Sequence, residues 1–257
     1  MMSLRIAALA FAFHFSPAVT SAQSLFFMTG DDGLPSAACY AGAPDWLVSQ
    51  KDPRSHWHAM RTLEAVDLYL HDITLPEIRY VVSLTQVRHL TLGHAPERVG
   101  LDPGVLAAVA RSRHIEGLSI CKSNLRNADC DTLSAMRNLK DLIIEGEDLC
   151  EATDPHGLTA EAVDSLAKLK SLESLEIRGD ARFTDQSVET LATLPRLRSL
   201  RLRSRHLTDK ALEIAASRMT LSRLDLESPH FTRDAIAKLR ESQRIEKVHI
   251  GLYRPWP

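Results

Sequence analysis

Leu172-Glu173-Ser174-Leu175-Glu176-Ile177, Leu197-Arg198-Ser199-Leu200-Arg201-Leu202 and Leu221-Ser222-Arg223-Leu224-Asp225-Leu226 are three renderings of one pattern, apolar at the first, fourth and sixth positions. The same pattern begins again at Leu63, Val87, Ile115, Leu139 and Ile245. The eight starts are 24, 28, 24, 33, 25, 24 and 24 residues apart. A self-similar period of roughly 20 to 29 residues marks a solenoid, because one such unit cannot bury its own apolar face and must stack on its neighbours. Alternating apolar positions predict a short strand in each unit, with the strands paired in parallel along the stack.

A second signal follows each strand. Ile73-Thr74, Leu158-Thr159, Phe183-Thr184, Leu207-Thr208 and Phe231-Thr232 place an apolar plug before a threonine. A threonine hydroxyl accepts a bond from an otherwise unpaired helix N–H, so a helix is expected after each one. Ala211, Leu212, Ile214 and Ala215 after Thr208, and Ala235, Ile236 and Leu239 after Thr232, supply the amphipathic spacing. Leu101-Asp102-Pro103 does the same with an Asp cap and a proline at the first helical position. Leu125-Arg126-Asn127 offers only Asn127 as a cap, one place late.

These strand, turn and helix units resemble the leucine-rich repeat family, its secreted bacterial type and the longer ribonuclease-inhibitor-like repeats with convex helices. The resemblance spans about Leu63 to Ile250. It implies an α/β fold: a right-handed horseshoe solenoid with about eight parallel strands on the concave face and helices on the convex face. It also implies protein or ligand binding on the concave sheet, and it transfers no catalytic residue.

The N-terminus reads as a signal peptide over residues 1–22. Arg5 precedes an apolar run from Ile6 to Phe15, and small residues lead to a cleavage expected near Ala22. That run is shorter than the roughly 20 residues needed to cross a bilayer, and no membrane span is expected elsewhere. The mature chain is therefore expected to be exported, periplasmic or extracellular. Losing Arg5 leaves 30 basic residues against 33 acidic ones, without the basic excess that nucleic acid demands. Residues 23–62, with Leu25-Phe26-Phe27, Trp46 and Trp57, form a flank expected to cap the first repeat, and residues 63–257 form the repeat domain with a C-terminal edge tail.

The strand pattern sorts its outward positions into columns. Fifth positions run Asp67, Thr91, Ser119, Ile143, Glu176, Arg201, Asp225 and His249; seventh positions run Tyr69, Gly93, Cys121, Glu145, Arg178, Arg203, Glu227 and Gly251. Second positions Glu64, Arg88, Glu116, Lys140, Glu173 and Arg198 alternate in sign, as cross-strand ion ladders would. The candidate partner-binding residues of the concave face are Tyr69, His89, Glu176, Arg178, Arg201, Arg203, Arg223 and Asp225. Two readings stand for the charged ones: internal pairs that keep the sheet in register, or, with Arg205, a guanidinium-rich zone for acidic surfaces. The expected partner is a protein or peptide. The alternative is a structural component of the cell envelope or extracellular matrix that self-associates through its ends or convex helices, since a sheet edge invites another chain.

Two intervals exceed the period, by about four residues near His94-Ala95-Pro96-Glu97 and about nine within Gly146 to Gly157, where rim loops would lie. Among four cysteines, Cys130 reads as a buried small hydrophobe, and Cys121 with Cys150 is a candidate disulfide that would pin the longer insertion. His56-Trp57-His58 lacks the third ligand that a zinc site needs, so no metal and no cofactor are expected. No nucleophile–base pair, phosphate loop or His-Glu-x-x-His occurs, so no catalytic residue is assigned and a binding role is expected.

Overall fold

The computed structural model describes residues 24–29, 35–40, 65–68, 75–93, 101, 103–121, 125–145, 158–179 and 181–251. The expected signal peptide, Tyr69, His56, His58, Cys150, the two insertions and the C-terminal tail lie outside these residues.

One sheet organises the chain. Its repeat strands are β3 (Ala65–Leu68), β4 (His89–Leu92), β5 (Gly117–Cys121), β6 (Asp141–Glu145), β7 (Ser174–Arg178), β8 (Ser199–Arg203), β9 (Leu221–Glu227) and β10 (Ile245–Gly251). They pair in parallel in sequence order. These are the eight strands of the sequence pattern. The flank extends the same sheet: β1 (Ser24–Thr29) pairs in parallel with β3, and β2 (Pro35–Tyr40) pairs antiparallel with β1. Among the described residues the sheet therefore has ten strands, in the order β10-β9-β8-β7-β6-β5-β4-β3-β1-β2.

Each repeat strand from β3 to β9 is followed by a helix: α1 (Leu75–Val81), α2 (Pro103–Ala110), α3 (Asn127–Leu133), α4 (Ala160–Leu166), α5 (Asp185–Leu191), α6 (Asp209–Arg218) and α7 (Arg233–Glu241). The alternate strand residues Leu90, Leu118, Leu142, Leu175, Leu200 and Leu224 are buried. They share one core with helix residues such as Val105, Leu133, Val163, Val188, Leu212 and Leu239. The helices thus cover one face of the sheet. The opposite face keeps its alternate side chains half-exposed, as β4, β6, β7 and β8 display.

Hydrogen bonds repeat with the period. The carbonyl of Arg88 accepts from the N–H groups of Glu116 and Gly117 at 2.7 and 3.0 Å, and the carbonyls of Glu116, Lys140, Glu173 and Arg198 each accept two N–H groups of the following repeat. Ser204 donates its hydroxyl to the Phe183 carbonyl at 2.7 Å, and Ser228 donates to Leu207 at 2.6 Å. Both serines are fully buried, so each stitches two turns where water cannot compete.

Three of the five expected threonine caps accept the expected bond; Thr184 is the N-cap of α5 with its own N–H bonded to the Ser187 hydroxyl, and Thr74 lies outside the described residues. Thr159 accepts from the Glu161 N–H, Thr208 from Lys210 and Thr232 from Ala235, each at 3.3 Å. The third helix differs from the expectation for Asn127. Asn127 is its first helical residue and Arg126 is its N-cap, whose N–H donates to the Asp129 carboxylate at 2.8 Å. The Asn127 amide is engaged elsewhere: it donates to the Thr159 hydroxyl at 2.8 Å and accepts from the Thr159 N–H at 3.1 Å. It ties the next repeat instead of capping its own helix.

Candidate binding face

Three columns of side chains stand on the open face, fixed by the parallel register. The first runs His89, Gly117, Asp141, Ser174, Ser199, Arg223 and Lys247; the second runs Thr91, Ser119, Ile143, Glu176, Arg201, Asp225 and His249. The third includes Cys121, Glu145 and Arg178 on one stretch and Arg203, Glu227 and Gly251 on the next. Neighbouring members stand roughly 4.8 Å apart, within reach of long side chains.

Towards the C-terminus the face is an ion-pair network. Arg178 places Nε 2.6 Å from Glu176 Oε1 and a terminal nitrogen 3.6 Å from Glu145. Arg201 reaches Glu176 at 2.8 Å, Asp225 at 3.4 Å and Glu227 at 3.9 Å. Arg203 lies 3.7 Å from Glu227, and Arg223 lies 3.6 Å from Asp225. Four guanidinium groups therefore meet four carboxylates, and the zone carries no local excess of either charge. Burial opposes ionisation of Glu176, but the Arg178 hydrogen bond and the charges of Arg178 and Arg201 outweigh it and hold the carboxyl below its ordinary value. Asp225 is only 2% exposed, and its Oδ1 has no hydrogen-bond partner among the described residues.

At the strand entrances the alternating column is realised in part. Glu116 accepts from Lys140 at 2.6 Å and pairs with Arg88 at 3.5 Å. The Lys140 hydrogen bond lowers the Glu116 pKa, against the effect of burial. The ladder then stops, because Glu173 and Arg198 are exposed and make no ion pair among the described residues.

The half nearer the N-terminus is smaller and more neutral. Gly93 and Gly117 are buried, and Thr91, Ser119 and Ile143 are half-exposed. A Cβ on Gly117 would lie 2.2 Å from Nδ1 of His89, so the imidazole occupies the space that a side chain on β5 would fill. Beyond that glycine stands Asp141, half-buried. Burial raises its pKa; His89 and Lys140 oppose the rise, and Glu173 and Glu116 add to it. Asp141 is a residue that the column reading passed over, although it shares the face with His89 and lies two residues before Ile143.

Of the sequence-predicted residues, Glu176, Arg178, Arg201, Arg203, Arg223 and Asp225 come together in one network. His89 stands apart on β4. Cys121 is buried at the end of β5, and the proposed bridge to Cys150 falls outside the described residues. Cys130 is a free, buried thiol on α3. Among the described residues no group of three or more His, Cys, Asp or Glu side chains is placed to hold a metal, and no helix is long and apolar enough to cross a membrane.

No family model and no curated protein matches this chain. Among solved structures it is similar to internalin C2 of Listeria monocytogenes, with 18% identity and a TM-score of 0.46, over 76% of this chain and 83% of that one. It is also similar to the internalin InlF of the same organism, with 14% identity and a TM-score of 0.40, over 81% and 80%. By the register of its own repeat strands and the helices between them, the chain has the leucine-rich repeat fold.

Proposed function

We propose that this chain is an exported, non-catalytic module that binds a protein or peptide on the open, concave face of its sheet. The observation that carries the reading is that, among the described residues, helices cover one face of the sheet, while the other presents three columns of mostly polar side chains in fixed register. A rigid sheet face fixes its side chains without further ordering, which lowers the entropic cost of recognition. Arg201 and Arg223 keep 37% and 54% of their side chains exposed, so a partner can reach their guanidinium groups while they stay paired. Export rests on the signal-peptide pattern of residues 1–22.

The test is affinity capture from the extracellular and envelope fractions of the source organism. Ser119→Trp puts a bulky ring on the sheet face, and Glu213→Trp puts one on the exposed surface of α6. Loss of capture with Ser119→Trp alone supports the sheet-face site, provided circular dichroism shows both variants folded. Loss with Glu213→Trp alone moves the site to the helices.

A second reading, self-association through the C-terminal end, is supported by β10. There Val248 and Ile250 are only half-buried, whereas Leu224 and Leu226 at the same positions of β9 are fully buried. Concentration-dependent mass in light scattering of the purified chain would favour it.

A further inference from the structure

Among the described residues Asp141 differs from the four carboxylates of the C-terminal network, which are all paired with arginine. Glu145, Glu176, Asp225 and Glu227 each have a guanidinium within 4.0 Å. Asp141 has no hydrogen bond or ion pair to its carboxylate among the described residues. Its register neighbours explain why: Gly117 on β5 has no side chain, and Ser174 on β7 carries no charge. The imidazole of His89 lies across Gly117 on that side, and its charge favours ionised Asp141, yet no hydrogen bond joins the two among the described residues. Two residues along the same strand and on the same face, Ile143 offers the one apolar side chain of the middle column, roughly 7 Å away by the strand rise.

We infer, on the basis of the sheet-face reading above, that the partner presents a basic side chain of a peptide segment to Asp141, its hydrocarbon stem along Ile143 and its charged head beside His89. Arginine fits best, since its planar fork matches a carboxylate with two parallel hydrogen bonds and stacks on a flat ring. A half-buried carboxylate without a partner is unfavourable for the isolated chain, and a bound cation removes that penalty. The raised pKa of Asp141 has the same origin. This is the pattern of a group whose environment serves binding at the expense of stability.

The probe is N-acetyl-arginine amide, titrated into the purified full chain and followed by NMR at the His89 ring and the Ile143 methyls, with neutral N-acetyl-citrulline amide as control. Saturable shifts with the arginine compound, at least tenfold weaker with citrulline or after Asp141→Asn, are expected. Equal binding of both compounds, or undiminished binding by Asp141→Asn, would overturn the inference.

Thermal denaturation gives an independent readout. The folded pKa of Asp141 is raised, so its unfavourable contribution is absent below the ordinary value of 3.8 and grows as pH rises through the folded value. Asp141→Asn should therefore raise the melting temperature at pH 7, with the gain vanishing towards pH 3. A lower melting temperature at pH 7 would make Asp141 a structural residue and sink the proposal. If Ser119→Trp abolishes partner capture and Asp141→Asn does not, this inference fails while the sheet-face reading stands. If neither alters capture, the sheet-face reading fails too.

Discussion

At the scale of single residues, position in the stack decides chemistry. Cys130 has 0% exposure on α3, and burial, with the charge of Asp129, pushes its thiol pKa up to about 12. Since the thiolate is the nucleophile, the folded protein should leave Cys130 unmodified by a thiol reagent at pH 8, and denaturant should release it. Mass spectrometry after a short iodoacetamide pulse, with and without urea, checks this; labelling of Cys130 at equal rates in both would contradict the burial. Cys130 was readable from sequence, because its position in the repeat matches Leu212 and Ile236. Asp141 was not. Its sequence neighbours carry the regular strand pattern, and its lack of a partner depends on where the ring of His89 goes over Gly117, a three-dimensional fact. The charges of the C-terminal network fall between: cross-strand alternation foretold pairs such as Glu176 with Arg201, but not that Arg201 would serve three carboxylates at once.

At the scale of the element, the repeat junctions show what a local motif hides. The Leu-Thr and Phe-Thr dipeptides announced the helix starts, since a cap is satisfied within its own turn. The next residue works across the junction. Asp185 accepts from both the N–H and the hydroxyl of Thr208, at 2.8 and 2.6 Å, and Asp209 does the same for Thr232, at 2.8 and 2.7 Å. The acid at the first position of one helix thereby orients the cap of the following helix. Between α4 and α5 the relation is missing, because Ala160 occupies the acid's place. There Thr184 instead donates its N–H to Ser187 at 3.1 Å. Asp209→Ala should cost about 0.5 to 2 kcal/mol, the range of a lost cap, and Thr232→Ala a similar amount. The two effects should be less than additive in a double-mutant cycle by urea denaturation, because each removes the same contact. Full additivity would mean that the junction bonds contribute nothing measurable.

At the scale of the molecule, the solenoid is a one-dimensional stack in which each repeat meets only its neighbours, so stability depends on having a neighbour on both sides. Leu224 on β9 and Val248 on β10 occupy the same register position, facing the core. Leu224 has 0% exposure, enclosed by the repeats before and after it, whereas Val248 is half-buried, with no repeat strand stacked beyond β10 among the described residues. Truncating a buried leucine removes its transfer energy and leaves a cavity, about 2 to 5 kcal/mol for Leu224→Ala. Val248→Ala removes less apolar surface from a site that water already reaches, so about 1 kcal/mol or less is expected from its area. The consequence extends to dynamics, since the elements with least enclosure open first and exchange their amide hydrogens through local, not global, unfolding. Hydrogen exchange should accordingly show β10 with the lowest protection among β7 to β10, and Leu224→Ala should lower protection across β8 and β9 together. Equal protection of β9 and β10, with equal costs for the two truncations, would mean that the last strand is covered in solution. Such covering would strengthen the self-association reading, and dilution of the chain would then restore the difference between the two strands.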